Sequence, residues 1–104
     1  MNNGQFRLTA ANGDRPPVLT ATGDIDLANV NQFEDAMTEA ATSSDAITVD
    51  LSQVSYCDSA TIRALFAVAA STRLDLIVKS AGPIKTLLSV SGLDRVATVR
   101  TAEG

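Results

Sequence analysis

Short β-branched stretches alternate along this chain with stretches in which apolar residues recur every three or four positions, and that alternation restricts the fold more than any other feature. Gln5 to Thr9 reads as a first strand, and the Asn-Gly and Pro-Pro punctuation of Ala11 to Pro17 reads as a loop. Val18 to Thr22 is a second strand, expected to pair with the first as an antiparallel hairpin because the connection is short. The period then changes. Val30, Phe33, Met37 and Ala40 or Ala41 fall on one face of a helix, which Asp26 or Asn29 can cap and Ser43-Ser44-Asp45 ends.

Ala46 to Leu51 is short and β-branched, as suits a central strand. A second helix follows Asp58, its natural N-cap, with Ile62, Leu65, Phe66, Ala69 and Ala70 on one stripe. Leu74 to Val78 forms the next strand. Gly82-Pro83 opens a third helix that turns Ile84, Leu87 and Leu88 inward and stops at Gly92, after which Val96 to Val99 can add an edge strand. Right-handed crossovers between successive strands place the helices on one face. The expected fold class is therefore α/β: a two-layer sandwich with a mixed, mostly parallel sheet of four to five strands and the helices mainly on one face.

The length of 104 residues suits one domain, and 45% hydrophobic residues suffice for a core without staples. No repeat or linker divides residues 1–104, so a single domain is expected. A net charge of −4 without any basic run speaks against direct contact with nucleic acid. Apolar runs such as Ala64 to Ala70 are too short to cross a bilayer, and Met1-Asn2-Asn3-Gly4 lacks the basic start of a secretory signal; a cytoplasmic protein is expected. Cys57 is the single cysteine and histidine is absent, which removes internal disulfides, the usual metal sites and histidine-based triads. No cofactor or metal is implied. Asp24 and Asp58 could in principle work as an acid and base, but no nucleophile with a base accompanies them, so the expectation is that the chain is not an enzyme. Cys57, beside Asp58, reads as a small buried residue, since a reactive thiol needs exposure and a lowered pKa.

Two segments stand apart: Gly23-Asp24-Ile25-Asp26-Leu27-Ala28, and Val49 to Ile62 with Asp58-Ser59-Ala60-Thr61 at its end. Both resemble the STAS family. The first is similar to the Gly-acid-apolar-Asp stretch that enters that family's first helix, and the second to its strand, Ser-x-Val turn and Asp-Ser-(Ser/Thr/Ala)-Gly-Leu segment entering the second helix. Ser91-Gly92-Leu93-Asp94-Arg95-Val96 is similar to the family's closing Gly-Leu-aspartate stretch. The resemblance runs from about Phe6 to Val99 and implies a STAS-like sandwich.

Within the family, the resemblance points to the anti-sigma factor antagonist type. It implies a protein that binds an anti-sigma factor, often a serine kinase, thereby releases a sigma factor, and is reversed by phosphorylation at the start of the second helix. Carried over by position, Ser59 is the phosphoacceptor candidate, with Thr61 second, and Asp24, Asp26, Asp58, Ser59, Ala60 and Thr61 form the candidate partner-binding set. Ala60 and Thr61 stand where the family has a second small or hydroxyl residue and a glycine. The first turn of a helix offers unpaired N–H groups, so a phosphate on Ser59 is expected to be held locally. The Ser59-Ala60 pair also fits an alternative implied by the resemblance, an unphosphorylated STAS scaffold subunit of a membrane transport assembly.

Overall fold

A computed structural model describes residues 4–102; the first three residues, part of the segment read above for a signal, lie outside it. The elements follow in the order β1 (Gln5–Thr9), β2 (Val18–Ile25), α1 (Val30–Thr42), β3 (Ala46–Cys57), α2 (Ser59–Ala69), β4 (Arg73–Lys79), α3 (Pro83–Ser91), a 3-10 turn (Leu93–Arg95) and β5 (Thr98–Ala102). The five strands form one sheet in the order β1-β2-β3-β4-β5, with β1 antiparallel to β2 and all later neighbours parallel. Every parallel crossover advances one strand in the same direction. Right-handed connections therefore stack α1, α2 and α3 on a single face, giving the expected two-layer sandwich.

The register explains the core. Leu8, Leu19, Val49, Leu76 and Val99 face one another across the five strands on the helical side. Against that layer α1 lays Phe33 and Met37, α2 lays Leu65, and α3 with the following turn lays Leu88 and Leu93, all almost fully buried. Phe6 extends the layer to the edge strand, its ring centroid 5.5 Å from that of Phe33. The next residue of each strand points the other way. Arg7, Thr20, Asp50, Ile77 and Arg100 form a row on the face that carries no helix, polar but for Ile77, as alternation on a solvated sheet face demands.

Several element boundaries differ from the sequence reading, each for a physical reason. β3 continues past Leu51 to Cys57. Its buried residues beyond Val49 are Leu51, Val54 and Cys57, a period of three that does not look like a strand. Two register shifts against β2, between Thr20 and Thr22 and between Gly23 and Asp24, absorb the extra residues as bulges and return each apolar side chain to the core face. The Ser-x-Val turn is thus bulged strand. β2 likewise runs on through Gly23 and Asp24 to Ile25. β5 begins at Thr98 and not at Val96, because burial of Leu93 winds the chain into a 3-10 turn whose carbonyl accepts from the amides of Val96 and Ala97.

On α2 the inward stripe is rotated: Thr61, Ile62, Ala64, Leu65 and Val68 are buried, Phe66 and Ala69 are half-buried, and Ala70 is exposed. The helix is wedged between α1 and the 3-10 turn over β3 and β4, so a broader arc of its surface is covered than a single stripe predicts. α3 opens on Gly82-Pro83 and closes on Gly92, whose φ of 83° is the left-handed conformation that glycine adopts without a Cβ penalty. Among the described residues no helix is long and apolar enough to cross a membrane.

Candidate functional site

Parallel strands that run in one direction deliver their C-terminal ends, and the turns that follow them, to one edge of the sheet, where binding sites of open α/β folds gather. Here that edge carries the end of β2 with Asp24 and Asp26, the end of β3 with Tyr56, Cys57 and Asp58, and the β4–α3 turn with Gly82. The bulged register sets Asp24 beside Tyr56 and Ile25 beside Cys57. Both segments singled out in the sequence are therefore brought together.

Asp58 caps α2 as expected, with extended backbone and its Oδ1 accepting from the amides of Ala60 at 3.1 Å and Thr61 at 3.3 Å. This corrects the expectation of a ready anion cradle for a phosphate on Ser59. The carboxylate of Asp58 already takes those donors. Ser59 itself is exposed, and Ala60 is half-buried against the core. Thr61 is 0% exposed, and its Oγ1 donates to the carbonyl of Ile25 at 3.4 Å. It faces inward, away from any kinase or partner, and ties the first turn of α2 to the end of β2. Of the two hydroxyls proposed as acceptors, Ser59 alone is accessible.

Asp26 does not cap α1 with its side chain; its Oδ1 takes the amide of Ala28 at 2.9 Å in the turn before the helix, while its carbonyl receives Val30 N at 2.8 Å. Asn29 occupies the N-cap position without a side-chain bond to the helix. Its side chain reaches back instead, accepting from Asp26 N at 3.0 Å and donating through Nδ2 to the carbonyl of Asp24 at 2.9 Å. This clamp was missed in the sequence because an asparagine before a helix reads first as a cap. Gly4 packs against the same loop: a Cβ there would strike the Asp24 carbonyl oxygen and approach Asn29 Nδ2 to 2.8 Å. The side chains of Asp24 and Asp26 remain half-buried at the rim.

Beside the aspartates lies an apolar depression of about 460 Å³ between the end of β3 and α3, lined by Tyr56, Cys57, Pro83, Ile84, Leu87 and Val90. Tyr56 is 53% exposed and Val90 80%, large apolar surfaces that a lone domain gains nothing by displaying. Leu27, in the β2–α1 turn, is 76% exposed. None of the three was marked in the sequence as a site residue, since neither the bulged strand, the turn nor helical spacing tells which apolar side chain is left outside. Burial, and then the charge of Asp58, push the Cys57 thiol up to about 11, so it stays protonated at neutral pH. Among the described residues no cluster of histidine, cysteine and carboxylates could hold a metal ion.

Comparison with known proteins agrees with this architecture. The fold is similar to an anti-sigma factor antagonist from Mycobacterium paratuberculosis, with a TM-score of 0.81 and 22% identity over 94% of this chain and 86% of that one. It is also similar to the anti-sigma factor antagonist SpoIIAA in its unphosphorylated form, with a TM-score of 0.65 and 18% identity over 96% and 89% of the two chains. The phosphorylated form of the Bacillus protein SpoIIAA aligns with a TM-score of 0.66 and 20% identity over 93% and 92%. No curated protein sequence matches. Residues 8–100 match the family described as "Mlab, STAS domain", and the chain belongs to the STAS family.

Proposed function

We propose that the chain is a single-domain STAS anti-sigma factor antagonist of the cytoplasm, a binding protein and not an enzyme. It engages an anti-sigma factor or serine kinase through the edge formed by Asp24, Asp26, Asp58, Ser59 and the apolar depression at Tyr56 and Val90. The observation that carries this reading is the position of Ser59: an exposed hydroxyl at the start of α2, two residues from the depression and next to a carboxylate. Phosphorylation adds a charge of about −1.5 to −2. With the helix amides taken by Asp58, that charge projects from the surface beside existing negative charge, and a partner packed there faces repulsion and a desolvation cost. Arg63, exposed and four residues further along α2, is one helical turn from that position.

The test is capture from the native cell with wild type, Ser59→Ala and Ser59→Asp as baits, followed by mass spectrometry of bound proteins and of Ser59. The switch requires an anti-sigma kinase retained by wild type and Ser59→Ala and lost by Ser59→Asp. A transporter subunit retained by all three replaces it with the scaffold reading, which the alanine at position 60 favours.

A further inference from the structure

At the opposite edge of the sheet, where β4 and β5 begin, a second cavity of about 420 Å³ opens between the end of α2 and the 3-10 turn. Arg73 and Arg95 both line it, together with Ser71, Thr72, Thr98 and Val96, and no carboxylate does. In a chain with 12 acidic and 8 basic residues and a net charge of −4, two arginines lining one cavity with no lining acid are not a generally basic surface. Among the described residues neither arginine makes an ion pair. The hydroxyls of Ser71, Thr72 and Thr98 make no side-chain hydrogen bond within the described chain either.

The end of α2 supplies one local countercharge. Its terminal carbonyls amount to about half a negative charge, against two full positive charges. Asp94 precedes Arg95 and Asp75 pairs with Thr98 across β4 and β5, but neither lines the cavity; the residues that line it suit a compact oxyanion, because planar guanidinium forks give paired N–H donors and hydroxyls add further donors. A phosphate group, at about −1.5 to −2 near neutral pH, matches both the charge and the donor chemistry. Arg73 begins β4 and Arg95 ends the 3-10 turn, so regular backbone places both residues at the cavity.

We infer that this cavity binds a phosphate group, either free inorganic phosphate or a small phosphate monoester, independently of the surface around Ser59. Titrations of the full chain with inorganic phosphate and with phenyl phosphate, followed by amide chemical shifts at constant ionic strength set with chloride, test it. Saturable shifts confined to Ser71–Leu74 and Arg95–Thr98 are expected, weakened about ten-fold or more by Arg73→Gln or Arg95→Gln and unchanged by Arg15→Gln, an exposed arginine outside the cavity. Tighter binding of phenyl phosphate than of phosphate assigns the site to a monoester whose organic part lies against Val96; equal binding assigns it to the free anion. Shifts no larger than those from chloride, or shifts that survive in the Arg73→Gln, Arg95→Gln double variant, overturn the inference. The unfolding midpoints of the variants separate lost binding from lost fold.

Discussion

Single side chains at the site edge carry separable physical tasks. Asp58 satisfies two amides that helix geometry leaves without partners, so Asp58→Ala is expected to lower stability by about 1 kcal/mol in urea unfolding. That role was legible in the sequence, because an aspartate before an apolar helical run is a local signal. The inward role of Thr61 was not: its acceptor, the Ile25 carbonyl, lies 36 residues away. Thr61→Val keeps the shape and removes one donor to that carbonyl, which is expected to cost about 0.5 to 1.5 kcal/mol in the same measurement. Cys57 adds a pH dependence with a definite sign. Its pKa is raised from 9.0 to about 11 in the fold, so the folded state holds the proton more tightly than the unfolded one. The stability this confers is full below pH 9 and is lost as pH rises toward about 11. Iodoacetamide should therefore label the folded protein slowly at pH 9, where half the unfolded thiols have ionised, and Cys57→Ala should reduce the alkaline loss of stability.

At the scale of elements, the helices were read closely where their ends are chemically marked. Asp58 starts α2, Pro83 starts α3 and Gly92 ends it, all positions where a residue type answers a local backbone need. Gly92→Ala forces a Cβ into left-handed backbone at a φ of 83° and is expected to cost about 1 to 2 kcal/mol, measured by thermal unfolding. Strands were read less fully. Alternation identified β3 as far as Leu51, and the bulges that carry it to Cys57 hide the rest, because a bulge replaces the period of two on which strand recognition depends. Those bulges bear on the site: they decide that Tyr56, and not a neighbour, lies beside Asp24.

For the whole molecule, a single layer of apolar side chains between sheet and helices holds both edges of the sheet in place. Phe33 is fully buried at its centre and reaches Phe6 on the edge strand. Phe33→Ala should cost about 3 to 5 kcal/mol, a large share of the roughly 5 to 15 kcal/mol available to a domain of this size, and should loosen β1 along with α1; hydrogen exchange on Gln5–Thr9 reports it. Periodicity and end signals by themselves determined the type and order of the three helices and the first four strands and allowed a fifth at the edge, and the strand order follows from their short connections and the handedness of the crossovers. They also marked Asp58, because capping is settled within a few residues, whereas Ser59 stood out only through the resemblance to the STAS motif. Only the tertiary structure decided that Thr61 points inward, that Asn29 clamps the loop at Asp24, that Tyr56 and Val90 share a depression, and that Arg73 and Arg95 share a cavity. Each of those depends on which side chains meet across the sheet edge or across a turn, and a contact between segments separated in the chain leaves no periodic mark in either one.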